Sequence, residues 1–224
     1  MTNDSFLKLE TENLKLNPTM NTRSLPLLAA TLAIAAAIPA HAATHAVLPG
    51  EAIQPKIDAA APGDIIAIFG GTYPGDVTIN KAVRLVEVDG QEVTITGNVT
   101  WNGVTNAPPF EGFTVGSSGK GITVTNTTGL VIKNVDARAG TGIKTGGASS
   151  VGVVGGFSSE IYQDGGDLTV NGSQLSSHFS ATLNCNRTIA LRTQAVGMYA
   201  WSSKQAWLGY SSSDWRFYYA GTSG

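Results

Sequence analysis

From Ile65 onward the apolar residues fall in short runs, each closed by Gly, Asn or Asp. Ile65-Ile66-Ala67-Ile68 is continuous and ends at Phe69-Gly70-Gly71, whereas Val77 and Ile79, Val83 and Leu85, and Val93 and Ile95 alternate with polar neighbours. A period of two marks a strand with one buried face, and the Gly, Asn and Asp residues between runs mark tight turns. Upstream, GEAIQPKIDAAAPGD predicts a short helix. Ile53 and Ile57 share a face, Pro55 is tolerated in a first turn, and Gly63 is placed to end it.

The strands recur. The trio Leu168, Val170 and Leu175 returns with the same internal spacing as Ile189, Leu191 and Val196, and again as Leu208, Tyr210 and Trp215. Leu130 and Ile132 return as Val151 and Val153, at the same interval that separates Leu168 from Ile189. A period of roughly 20 residues with short strands and polar turns predicts stacked rungs, because each rung leaves its inner face half-covered until a neighbour stacks on it. A β-sandwich gives no reason for a recurrence at this length, and a leucine-rich repeat needs fixed Leu and Asn positions absent here. The expectation is an all-β, right-handed parallel β-helix of about seven rungs between Ile65 and Tyr219, with a short N-terminal capping helix.

The segment IQPKIDAAAPGDIIAIFGGTYPGDVTINKAVRLVEVDGQEVTITG, from Ile53 to Gly97, resembles the opening of pectate-lyase-like right-handed β-helix proteins. The resemblance lies in the capping helix at Ile53 to Ala60, the strand Ile65 to Ile68, the Gly71-Thr72-Tyr73 turn, the Val77-Thr78-Ile79 strand and the strand Val83 to Val88. It implies the fold and an extracellular, carbohydrate-facing role. The superfamily holds lyases, esterases, alginate-modifying enzymes, copper-loading periplasmic proteins, tailspikes and adhesins, so the resemblance implies no single activity.

Ahead of the coil, Leu25 to Ala40 is an apolar run with Arg23 before it and Ala40-His41-Ala42 after it. A basic start, an apolar middle and a small-x-small site are the order of a secretory signal peptide. Cleavage is expected after Ala42 or Ala43, giving a secreted, periplasmic or cell-surface protein with no membrane segment after cleavage. Residues 1–19 mix Asp4, Glu10 and Glu12 with Lys8 and Lys15 and suit a signal start poorly, so 1–19 is a doubtful leader, 20–42 the signal peptide and 43–224 the β-helix. Translation is expected to start at Met20.

Charge narrows the partners. Charged residues are 13 % of the chain and the formal net charge is −2, without a basic patch, so nucleic acid is not an expected partner. The one cysteine, Cys185, allows no internal disulfide or paired-cysteine zinc site and reads as a buried apolar residue. Sequons at Asn98, Asn126, Asn171 and Asn186 read as turn composition. After Trp215-Arg216-Phe217-Tyr218-Tyr219 only a small polar tail follows, so the coil is expected either to continue beyond this sequence or to dock its C-terminal end on a partner or a second copy.

The resemblance to acidic-polysaccharide lyases implies a base that removes a proton alpha to a uronate carboxylate, with calcium neutralising that carboxylate. The residues that fit are Lys133, Arg138 and Lys144 as bases and Glu160, Asp164 and Asp167 as calcium ligands, with Lys144 approaching Asp164 if rungs stack in register. No catalytic motif of the superfamily falls on these residues, and the plainer reading is a turn with solvated side chains. Asp136 lacks the partners an esterase needs, and His45, His178 and Met198 are too scattered for copper. No Gly-x-Ser-x-Gly element occurs. Aromatics crowd the end of the chain, and Trp201, Trp207, Tyr210, Trp215 and Tyr218 are candidates for stacking on the sugars of an extracellular polysaccharide. A non-catalytic adhesin-type stalk is the alternative.

Overall fold

The computed structural model describes residues 42–88, 90–182, 184–201, 205–209 and 217–220. The leader, nearly all of the signal peptide, Tyr210 and Trp215 lie outside them. From Thr44 the chain winds as a parallel β-helix, and every strand pairing is parallel. Three strands make each of the first six rungs, and two are described in each of the last two. The long sheet takes the last strand of each: Val77–Ile79, Val99–Asn102, Ile122–Thr125, Ile143–Gly146, Ile161–Asp164, His178–Ala181, Gly197–Trp201 and Phe217–Ala220. A broad face takes the first strand. It begins with the three-stranded sheet Thr44–Val47, Ile65–Ile68 and Arg84–Glu87, then forms a six-stranded sheet from Phe110–Glu111 through Thr128–Lys133, Ser150–Val154, Gly166–Asn171 and Cys185–Leu191 to Gln205–Gly209. A narrow sheet runs from Gly71–Tyr73 to Gln174–Leu175.

Eight strands in the long sheet mean eight rungs, one more than expected. The extra rung fits because the repeat shortens along the coil: Val77, Val99 and Ile122 lie further apart in sequence than Ile143, Ile161 and Phe179. No helix among the described residues is long and apolar enough to cross a membrane.

Alternation builds the core. Val77, Val99, Ile122, Ile143, Ile161, Phe179 and Met198 stack in register as one buried inward column of the long sheet. Beside it run Ile79, Trp101, Val124, Thr145, Gln163 and Ala181. Trp101 meets Phe110 edge-on at 4.8 Å, and Phe110 stacks on Phe113 at 4.4 Å, an aromatic plug through rungs 2 and 3. The rungs approach so closely that a Cβ on Gly97 would fall on the Gly75 carbonyl.

Polar groups enter the core at rungs 4 and 5. Gln163 is fully buried. Its amide donates to the carbonyls of Gly166 at 3.1 Å and Arg187 at 3.2 Å, and its Oε1 accepts from Thr188 Oγ1 at 2.7 Å. In register with it, the buried Thr145 hydroxyl has no hydrogen-bond partner among the described residues. Thr145→Val keeps the shape and removes an unpaired donor, so it is expected to raise stability by about 1 kcal/mol. A higher denaturant midpoint at unchanged m-value checks this, and a lower midpoint contradicts it.

The helix Gln54–Ala59 covers rung 1. Ile53 and Ile57 are buried, and Gln54 bonds both the N–H and the carbonyl of Thr78. It ends earlier than Gly63, with Ala60 already extended; Pro62 then disfavours helix at Ala61. Leu130 and Ile132 do stack on Val151 and Val153, but the later repeat slips by one residue. A bulge between Gly166 and Asp167 places Leu168 beside Thr188, so Ile189 pairs with Thr169 and Trp207. The extra residue turns Ile189 and Leu191 outward, because a slip of one exchanges the faces. Cys185 is buried as expected.

Candidate functional site on the long sheet

The residue between the two inward columns of the long sheet points outward in each rung. In register these are Thr78, Thr100, Thr123, Lys144, Tyr162, Ser180 and Tyr199, with Tyr218 next along the backbone. Each of these seven described side chains except Lys144 carries a hydroxyl, and all are half-buried or exposed. Neighbours along the column are separated by one strand spacing, about 4.8 Å. Tyr162 and Tyr199 stand two spacings apart, about 10 Å, on either side of Ser180.

Tyr199 lies back over Gly197. A Cβ at Gly197 would sit 3.3 Å from the Tyr199 hydroxyl oxygen and 3.0 Å from the His178 ring, so any larger residue there presses on both side chains. His178 lies 5.4 Å from the Tyr199 ring, and its Nδ1 pairs with the Ser177 hydroxyl at 2.8 Å. At the other edge of the strip, Asp164 Oδ1 accepts from Thr182 Oγ1 at 2.6 Å and from Asn184 Nδ2 at 3.1 Å. Those two donors hold its carboxyl below the usual aspartate range, Thr182 most.

The residues expected to perform lyase chemistry are distributed over all three faces. Lys144 is on the long sheet, level with Tyr162, and Asp164 is level with Gly146, so the two are diagonal neighbours. Glu160 precedes the same strand, its backbone carbonyl taking the Ile143 N–H. Asp167 and Lys133 are on the six-stranded sheet, where Asp167 pairs with Arg187 at 3.2 Å and Lys133 with Glu111 at 2.6 Å. Arg138 is at the narrow sheet, bonded to both oxygens of Asp136 and lying 4.2 Å over the Phe157 ring. Asp136 raises the Arg138 pKa further, which suits an anchored cation and not a base. Among the described residues, no three His, Cys, Asp or Glu side chains gather as a metal ion requires.

The expected sugar-stacking aromatics also divide. Trp207, 68 % exposed, is on the six-stranded sheet beside Ile189 and Leu191. Tyr218 continues the long-sheet column, and Trp201 ends the strand Gly197–Trp201. Tyr162, Ser180 and Gly197 were missed by the sequence reading, and Tyr199 entered it only as one of the aromatics that crowd the end of the chain. Their signal, the central position of one strand per rung, becomes visible only when the changing rung length is known.

Comparison with protein families, curated proteins and solved structures finds no match. A parallel β-helix hosts many chemistries, so function is argued from this site.

Acid should loosen the coil. The carboxyls of Asp136, bonded chiefly by Arg138, and of Asp164 both titrate below their unfolded range. Their contribution is full above about pH 4 and is lost as pH falls through the lowered folded values. The thermal midpoint is expected to fall on acidification from about pH 5 to about pH 2.5. A midpoint that rises over that interval contradicts these assignments.

Proposed function

We propose that this protein is an exported polysaccharide-binding β-helix of the pectate-lyase-like kind, holding an extended glycan along the outer column of its long sheet. The observation that carries the reading is the column itself. Such a glycan, lying along the coil axis, crosses the strands at right angles and meets a new side chain at each rung. Tyr162 and Tyr199 offer ring faces two rungs apart, the threonines and Ser180 offer hydroxyls, and Lys144 offers a cation to a sugar carboxylate. Tyrosine gives contact area at low entropy cost, as in other recognition surfaces. The pairing of Lys133 and Arg138 with carboxylates favours binding over lyase chemistry, and calcium belongs only to the lyase alternative.

The test is co-sedimentation of the exported protein with insoluble neutral and acidic polysaccharides. Retention on an acidic polysaccharide, weakened by salt and without release of unsaturated uronides, is the expected result. Retention on none contradicts the reading, and calcium-dependent release of unsaturated uronides replaces it with the lyase. A second reading, an adhesin-type stalk, is favoured by the outward Ile189, Leu191 and Trp207, an apolar spot suited to self-association. Concentration-dependent oligomers lost in Trp207→Ser would support it.

A further inference from the structure

The start of the coil is tied to a buried carboxylate. Asp64 is 7 % exposed and closes the corner after the capping helix. Its Oδ1 accepts the backbone N–H of Ala43 at 2.8 Å. Its Oδ2 accepts the Ala61 N–H at 2.8 Å and meets His45 Nε2 at 3.0 Å. The Ala43 carbonyl accepts the Ile65 N–H at 2.8 Å, the first bond of the ladder that Thr44–Val47 then makes with Ile65–Ile68. Ala43 thus both donates to Asp64 and opens the sheet.

The sequence leaves two cleavage sites, after Ala42 and after Ala43, and these contacts separate them. A cut after Ala43 removes the donor to Asp64 and the acceptor for Ile65 together. A cut after Ala42 keeps both and converts the N–H that the Asp64 carboxylate already accepts into an ammonium, so that both partners of the bond are charged.

We propose that export processing hydrolyses the Ala42–Ala43 bond and that Asp64 holds the new α-ammonium of Ala43, locking the first strand of the coil. Water is the co-reactant: the amide C–N bond breaks, the water oxygen joins the Ala42 carbonyl carbon so that Ala42 leaves as a carboxylate, and the two water protons go to the Ala43 nitrogen, which becomes the ammonium. Ala40 and Ala42 give the processing peptidase its small-x-small site, and His41 lies between them. The neighbouring His45 shares the carboxylate, its Nε2 lying 3.0 Å from Oδ2. The inference stands apart from the glycan-binding reading.

The intact mass of the protein exported from a bacterial host gives the first test. A mature chain starting at Ala43 is expected; a start at Thr44 or beyond, or one retaining Ala42, overturns the proposal. The ion pair is then tested by comparing the mature chain with one extended by Ala42. The extension is expected to lower the thermal midpoint by about 2–4 °C, and the difference is expected to vanish in Asp64→Asn. An unchanged difference in Asp64→Asn overturns the role of Asp64. Asp64→Asn also disturbs the bonds to Ala61 and His45, so a second readout avoids it. Acylation of the α-amine at neutral pH is expected to be several-fold slower in the native mature chain than in the extended one, and equal rates contradict the ion pair.

Discussion

Trp101→Ala is expected to destabilise the coil by about 3–5 kcal/mol and to lower its thermal midpoint by about 6–20 °C. Trp101 is 2 % exposed and lies between Ile79 and Val124 in an inward column. Its loss removes the edge contact to Phe110 and opens a cavity in rung 2 that the tightly stacked neighbouring rungs cannot close. In a solenoid each rung is supported only by its neighbours, so a void there weakens the coil on both sides. Thermal unfolding measures the effect, with Trp207→Ala as the matched control. Trp207 is 68 % exposed, and its loss is expected to cost no more than about 0.5 kcal/mol. Equal effects from the two tryptophans would mean that the inward and outward faces are wrongly assigned.

The second large effect is on binding. Tyr162→Ala and Tyr199→Ala are each expected to weaken retention on the polysaccharide about tenfold, and together about a hundredfold, because their strands are two spacings, about 10 Å, apart and effects at that distance add. Tyr162→Phe and Tyr199→Phe keep the ring faces and are expected to retain most of the affinity. Gly197→Val is a further check, since its side chain would meet both the Tyr199 ring and His178. It should weaken binding without altering any group that meets the glycan. A titration of the variants against one polysaccharide, with folding confirmed by circular dichroism, gives these numbers.

Much of the architecture was legible because the strands at Val77 and Val93 obey a strict inward-outward alternation, and because Leu130 and Ile132 return one rung later as Val151 and Val153. The capping helix was legible from Ile53, Pro55 and Ile57. Two kinds of feature were not. A single added residue at the bulge after Gly166 reverses the faces of Ile189 and Leu191, and no hydrophobic pattern announces it, because both faces of that strand carry apolar side chains. Gln163 and Thr145 occupy inward positions that a sequence reading assigns to apolar residues. Gln163 is accommodated there by the carbonyls of two corners and by Thr188.

The candidate site was legible in part for a similar reason. Lys144 stands level with Tyr162 and not with Asp164, because this rung is 18 residues long and not about 20. Glu160, Asp164 and Asp167 are close in sequence, yet the chain turns a corner between them. Gly165 and Gly166, with φ of +110° and +64°, carry it from the long sheet to the six-stranded sheet and send Asp167 to another face. Sequence proximity in a β-helix therefore says less about a shared site than a spacing of one rung does. Asn98 and Asn126 illustrate the same rule, each using its side-chain carbonyl to accept the N–H of a residue one rung on, Gly121 and Ala148.

The most direct test of the binding column is to footprint the exported protein by oxidative labelling with and without a retained polysaccharide. Protection of Tyr162 and Tyr199, with Trp207 labelled equally in both states, is the predicted result. Protection of Trp207 with unchanged labelling of both tyrosines would move the site to the six-stranded sheet and contradict the account.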